Sequence, residues 1–266
     1  MRIINLASGS KGNCTLIEGD QTAFLIDCGL DIARTEETIR LVGCDISKIK
    51  AILITHTHID HIKSAVKFAN KYSIMVYATD KCWQEGKLQK VPLERRGFIT
   101  LDEFQLNEFR VSPFELSHDA VSCVGYSVYN GGKKFSIATD LGEITSQIID
   151  HIAKSDLIFL EANYDEHMLR TGSYPKHIKE RILSRVGHLS NVDSGEAISI
   201  LSKMGTKYFM LMHISENNNT PELAYGTVKN ILKNKNLDNN IYIGVAYQHK
   251  VSSNFVLKPL DKTEGN

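Results

Sequence analysis

Four side chains able to bind a metal fall within six positions, in the stretch Thr55-His56-Thr57-His58-Ile59-Asp60-His61. Imidazole nitrogen and carboxylate oxygen together suit zinc, manganese or iron. Two such cations held about 3.5–4 Å apart clamp the attacking and leaving oxygens of a hydrolytic displacement. His56 and His58 lie two apart, so an extended segment points both to one side. Asp60 and His61 turn toward a neighbouring point as a helix begins. Asp60 alone would serve as an ordinary helix cap. Capping gives no reason for three histidines beside it.

The cluster follows the apolar, β-branched run Ala51-Ile52-Leu53-Ile54, which reads as a buried strand. Acids and histidines recur in the same setting downstream. They stand in Leu116-Ser117-His118-Asp119, in Ala138-Thr139-Asp140-Leu141-Gly142 and in Met210-Leu211-Met212-His213-Ile214. Any one of these is more often a satisfied polar residue at a strand end. Three, each behind an apolar run, form a pattern.

The elements that must position them alternate in type. Residues 3–6, 15–18 and 23–27 read as strands, 33–42 as a helix, 62–71 as a helix and 74–78 as a strand. Asp80 reads as the cap of a helix running through Lys90. Strands at 109–116, 124–129 and 133–139 follow, with Asn130-Gly131-Gly132 as the hairpin turn between the last two. A helix at 145–153, a strand at 157–161, helices at 176–185 and 194–203, a strand at 208–212 and a helix at 221–233 come next. Strands at 241–246 and 255–257 close the pattern. Strands gathered near each end with helices interleaved predict an α/β fold of two mixed sheets packed face to face, with helices outside.

The 266 residues are 42% hydrophobic and 23% charged, enough for a large core. No linker-like shift divides them, so residues 1–260 read as one domain and 261–266 as a disordered tail. Thirty-one basic residues balance thirty-one acidic ones. A polyanionic partner must therefore be met by a local patch rather than a global field. The five cysteines are scattered and form no Cys-x-x-Cys pair, which argues against a disulfide framework and fits a reducing cytoplasm. No signal peptide and no apolar run of membrane-spanning length is apparent. Nothing in the sequence reads on oligomeric state.

Thr-His-x-His-x-Asp-His at a strand end resembles the signature of the metallo-β-lactamase-fold hydrolases, which implies a four-layer αββα sandwich. The resemblance assigns His56, His58 and His118 to one divalent metal and Asp60, His61 and His213 to a second, with Asp140 bridging. Asp60 also orients the attacking water and accepts its proton. Zinc and manganese both suit this donor set, and iron remains possible. In the same fold group, nucleases that process tRNA 3′ ends carry elements similar to Leu160-Glu161-Ala162-Asn163 and Gly187-His188-Leu189-Ser190-Asn191. There the acid and the histidine together donate a proton to the leaving group, and Glu161 and His188 fall at matching places. The long Gly/Pro-rich arm of those enzymes is absent here, which weakens a tRNA-processing reading.

The combination of Ala7-Ser8-Gly9-Ser10-Lys11-Gly12-Asn13, the histidine cluster, Glu161-Ala162-Asn163-Tyr164-Asp165, Gly172-Ser173-Tyr174-Pro175, Gly187-His188-Leu189 and His213-Ile214-Ser215-Glu216-Asn217-Asn218 resembles the bacterial YycJ/WalJ family over nearly the full length. That resemblance implies a DNA exonuclease working from a 5′ end and linked to DNA repair. It marks Ser8, Ser10 and Asn13 as holders of a terminal 5′ phosphate, with backbone N–H groups assisting. Lys176 and Lys179, and likewise Arg181 and Arg185, share a helical face able to neutralise phosphates. The alternatives are a phosphodiesterase for small or cyclic-nucleotide esters, an RNA-processing nuclease of the same fold, and an inactive binding module stabilised by its metals.

Overall fold

Side chains alternate along the strands so that neighbours fall into different cores. In the strand Ala23–Ile26 (β3), Phe24 and Ile26 enter one cluster, while Ala23 and Leu25 enter another. Leu157–Glu161 (β11) divides in the same way, with Leu157 and Phe159 on one side and Ile158 and Leu160 on the other. Both faces of each sheet are therefore buried, which the period-two geometry of a strand makes possible. The computed structural model describes residues 1–259. The tail expected at 261–266 lies outside them.

Two seven-stranded sheets result. The first is built from Arg2–Ala7 (β1), Cys14–Glu18 (β2), β3, Ile49–Leu53 (β4), Met75–Thr79 (β5), Arg96–Ile99 (β6) and Phe255–Val256 (β14), in the order β14-β1-β2-β3-β4-β5-β6. The second holds Phe104–Leu106 (β7), Phe109–Glu115 (β8), Val124–Asn130 (β9), Lys133–Ala138 (β10), β11, Tyr208–Met212 (β12) and Tyr242–Val245 (β13), in the order β13-β12-β11-β10-β9-β8-β7. Each sheet is antiparallel through one half and parallel through the other. Their facing sides form one core around Phe24, Phe109, Tyr126, Phe135 and Phe159. Ile32–Leu41 (α1) and Ala65–Tyr72 (α3) cover the first sheet; Ser146–Ile152 (α5), Asn191–Lys203 (α8) and Pro221–Asn234 (α9) cover the second. The architecture is the expected αββα sandwich.

Local departures have local causes. The helix expected from Asp80 to Lys90 is the short Asp80–Gln84 (α4), capped by the Thr79 hydroxyl rather than by Asp80. Gly86, at φ +86°, ends it. The single helix expected at 62–71 is a short turn, Ile59–Ile62 (α2), followed by α3. A helix at Glu166–Thr171 (α6), capped by the Asp165 carboxylate, and the edge strands β6 and β7 were not legible. The basic helix is shorter than expected, at Lys176–Ile182 (α7).

Candidate metal centre and its acid–histidine neighbour

Parallel strands bring their C-terminal ends to one edge, where open α/β sheets place their sites. Every residue of the centre leaves such an end or the end of an adjoining antiparallel strand. The segment after β4 supplies His56, His58, Asp60 and His61; those after β8, β10 and β12 supply His118, Asp140 and His213. Asp140 and His213 have left-handed backbone, at φ 62° and 54°, as does Asp27 after β3, at 60°. That region costs a non-glycine residue roughly 1–2 kcal/mol, and its use at three neighbouring strand ends marks the place where the fold tolerates strain to aim side chains.

The donor atoms of His56, His58 and His118 lie within 4.8 Å of one another, and so do those of Asp60, His61 and His213. Asp140 reaches both groups. Its Oδ2 is 3.1 Å from His61 Nε2, and its Oδ1 is 3.3 Å from His213 Nδ1 and 3.8 Å from His118 Nε2. Three buried atoms here, His56 Nε2, Asp140 Oδ2 and His213 Nε2, have no hydrogen-bond partner. Leaving buried polar atoms unpaired costs about 1–3 kcal/mol each. Converging lone pairs of nitrogen and oxygen fit a divalent cation.

The outer nitrogens of the rings are held. Asp27 accepts from His61 Nδ1 at 2.7 Å and is itself fixed by the Thr55 amide and hydroxyl, at 2.9 and 2.8 Å. His118 Nδ1 donates to the Gly187 carbonyl at 3.0 Å, and the Thr55 hydroxyl lies 3.1 Å from His56 Nδ1. Such partners set the tautomer and aim the remaining nitrogen inward. Burial, reinforced for His56 by His61 and for His58 by His118, depresses both imidazoles and keeps them neutral, as ligation requires. Burial would depress His61 as well, but the carboxylates of Asp27, Asp140 and Asp60 outweigh it and hold it above the usual range. Burial also opposes ionisation of Asp140, yet His213 and His61 overcome it and keep the carboxyl ionised.

Glu161 and His188 stand beside this cluster. Glu161 is fully buried, and its Oε1 is 2.9 Å from His188 Nδ1 and 2.8 Å from His213 Nδ1. Its Oε2 accepts the amides of Leu141 and Leu189, at 3.1 and 3.2 Å. Burial would raise its pKa; His188, then His213, more than offset that and lower it. The sequence had suggested a Glu161–His188 pair. The structure adds that the same carboxylate orients His213.

The model of the beta-lactamase superfamily domain matches residues 22–214. The chain belongs to the beta-lactamase superfamily. Within it, exodeoxyribonuclease YycJ of Bacillus anthracis is 35% identical over 233 residues, covering 86% of this chain and 88% of that protein. Exodeoxyribonuclease WalJ of Streptococcus pneumoniae is 35% identical over 237 residues, 87% and 88% of the two chains. The metallo-β-lactamase-fold protein YhfI of Bacillus subtilis superposes with a TM-score of 0.71 at 15% identity, over 94% and 98% of the chains.

Two further parts of this superfamily site bear on substrate. The loop at residues 8–13 was expected to offer backbone N–H groups to an anion, and the structure engages most of them internally. Ser8 N–H donates to the Tyr247 carbonyl, Gly9 N–H to Asn13 Oδ1, Lys11 N–H to Gln248 Oε1, Gly12 N–H to the Gly9 carbonyl and Asn13 N–H to the Asp60 carbonyl. The Asn13 amide is committed too, to Asp60 Oδ2 and the Gly9 carbonyl, both at 3.2 Å. The Ser8 hydroxyl accepts the His213 amide at 2.8 Å, and Ser10 is exposed at the tip. Of the basic residues, Arg181 is tied to the rim, because its Nε pairs with Asp119, whose other oxygen is 3.3 Å from His118 Nε2. Arg185 pairs with Glu143 at 3.0 Å. Lys176 pairs with Glu180, and Lys179 donates to the Arg170 carbonyl, contacts local to the 166–182 region.

Gly29 fixes how closely these parts approach. A Cβ there would sit 1.6 Å from the Asp60 carbonyl oxygen and 2.8 Å from the Asn13 nitrogen, both backbone atoms that cannot swing away. Gly29→Ala therefore displaces the Asp60 segment. The expected cost is about 1–3 kcal/mol of stability, together with weaker metal binding. Thermal melts and metal titration check both, and wild-type values in the two would contradict the packing described.

Proposed function

We propose that this chain is a dinuclear metal-dependent phosphodiesterase that hydrolyses DNA, an exonuclease digesting from a 5′ end in DNA repair. One observation carries the reading: seven metal-capable donors converge in two triads joined by Asp140, with the Glu161–His188 pair at their edge. The names borne by its relatives support the substrate class. His56, His58 and His118 would hold one cation and Asp60, His61 and His213 the other, with Asp140 placed to serve both groups. When bound, a pair of zinc or manganese ions supplies Lewis acidity and lowers the pKa of water toward neutrality. Asp60, steadied by Asn13, orients the attacking water and takes its proton. His188, fixed through Nδ1 by Glu161 and 17% exposed at its side chain, presents its other nitrogen to the leaving oxygen and protonates it.

Asn13 thus acts as a positioning residue. The exposed Ser10 hydroxyl is the group of that loop free to meet a terminal phosphate. Arg181, aimed by Asp119, neutralises a phosphate beside the His58–His118 triad. Among the described residues no helix is long and apolar enough to cross a membrane, and all five cysteines are buried free thiols. We read the working compartment as the reducing cytoplasm.

The test is digestion of end-labelled single- and double-stranded DNA by metal-reconstituted protein, with and without a 5′ phosphate. Mononucleotides released progressively from the 5′ end, faster from phosphorylated ends, are expected. Arg181→Gln weakens binding across all sequences and lowers the slope of log affinity against log salt by about 1. Cleavage of small esters alone, with DNA left intact, would overturn the assignment.

A further inference from the structure

A cleft of about 470 Å³ opens beside the metal centre and shares a wall with it. The wall begins at Ser8, whose hydroxyl holds the His213 amide, and continues through Ile214 and Ser215, the next residues along the chain. Its volume falls in the range of small-molecule sites, about 300–1,000 Å³. A second cleft, about 310 Å³, adjoins it along Pro221, Glu222 and Tyr247 and adds Tyr225 on α9 and Val245 on β13. Together they make one groove, leading from the metal centre across the start of α9 to the edge strand of the second sheet.

Its chemistry selects what lies there. Ile214, Pro221, Ala246 and the Tyr247 ring give an apolar lining. Of the two wall carboxylates, Glu216 is engaged by Lys11 and by His249, which leaves Glu222 to repel phosphate from the interior. At the mouth, Lys11 pairs with Glu216 at 2.6 Å, and the Lys250 ammonium lies 4.0 Å from the centre of the Tyr247 ring. The groove is thus apolar and aromatic within, with Lys250 the cation at its rim that no carboxylate pairs among the described residues. That division matches a nucleotide strand, with bases inside and phosphates along the edge. Tyr247 and Tyr225 are exposed aromatics, at 37% and 43%. Only an unpaired strand offers free base faces to such rings.

We propose that this groove is a base-stacking track for single-stranded DNA, with Tyr247 the platform for the base flanking the scissile phosphate and Tyr225 the platform for the next. The proposal rests on the DNA reading above and adds to it a strand preference and the residues that set it. The Tyr247 backbone is held independently of its ring, by its amide to the Ser252 hydroxyl at 2.6 Å and its carbonyl to the Ser8 amide. Substitution therefore removes the platform and leaves the loop in place.

The experiment measures fluorescence anisotropy of a labelled, phosphorothioate-linked single strand on the full-length, metal-loaded protein, beside an abasic strand of equal length. Tyr247→Ala is expected to weaken the intact strand about tenfold or more and to leave the abasic strand unchanged. Tyr225→Ala gives a smaller loss of the same kind, and Tyr247→Phe, which keeps the ring, binds as wild type. The salt slope stays constant, since no phosphate contact is removed. Equal weakening of both strands, or none in either, overturns the track even where wild-type protein digests DNA normally. Wild-type protein that ignores DNA but hydrolyses a bis-nitrophenyl phosphodiester defeats the DNA reading itself, and the track with it.

Discussion

Asp140→Asn is expected to abolish turnover and to lower the metal content from the proposed two ions per chain to at most one. Asparagine keeps the shape of the side chain and tolerates the left-handed backbone at this position, so the fold is retained. What disappears is charge. Among the seven donors only Asp60 and Asp140 are anionic, and of these two it is Asp140 that meets both triads, at 3.1 Å from His61, 3.3 Å from His213 and 3.8 Å from His118. Two divalent cations at close range repel each other strongly, and a bridging carboxylate offsets that repulsion from between them. Without it the second ion is no longer held. A lone cation can still polarise water, but the clamp on both the attacking and the leaving oxygen needs two, so activity falls toward that of chelator-treated protein. Elemental analysis of the purified variant, with hydrolysis measured on the same sample, checks both halves. Two ions and wild-type turnover in Asp140→Asn would remove the bridge from the mechanism.

Much of this centre was legible because each donor follows an apolar run. A buried strand announces itself by β-branched residues, and parallel pairing sends successive strand ends to one edge. His118, Asp140 and His213 could be collected on that rule, though they lie 62, 84 and 157 residues from His56. Asp27 obeys the same rule after β3, but in the sequence it reads only as the last residue of the strand expected at 23–27. The Gly187 carbonyl that holds His118 carries no residue-type signal at all. The loop at residues 8–13 misled for a related reason. Its glycines and hydroxyls advertise an anion cradle, but the acceptors that consume its N–H groups, the Tyr247 carbonyl and the Gln248 amide, arrive from the far end of the chain. Edge strands β6 and β7 were missed because four and three residues are too few to show a period. Sequence pattern reports what a segment buries; it does not report which distant backbone atom meets it.

His188→Ala and Glu161→Gln separate acid–base chemistry from metal retention. His188 Nδ1 is 2.9 Å from Glu161, and its ring centre is 5.3 Å from that of His213. In His188→Ala, both triads and the bridge remain, so two ions are retained while turnover on DNA falls about 10²–10⁴-fold. The loss shrinks for an ester with a good leaving group, such as nitrophenolate, which departs without a proton. Glu161→Gln behaves differently. Its carboxylate also holds His213 Nδ1 at 2.8 Å, and a neutral amide in its place loosens that ligand, lowering metal affinity about 10–100-fold. Raising the metal concentration then restores occupancy in Glu161→Gln, but the leaving-group defect persists, because His188 has lost its anionic partner. The same titration does nothing for His188→Ala. If both variants lost metal equally, or if nitrophenyl esters and DNA suffered alike in His188→Ala, the proton would have to come from elsewhere, and His188 would be left with a structural role at the rim.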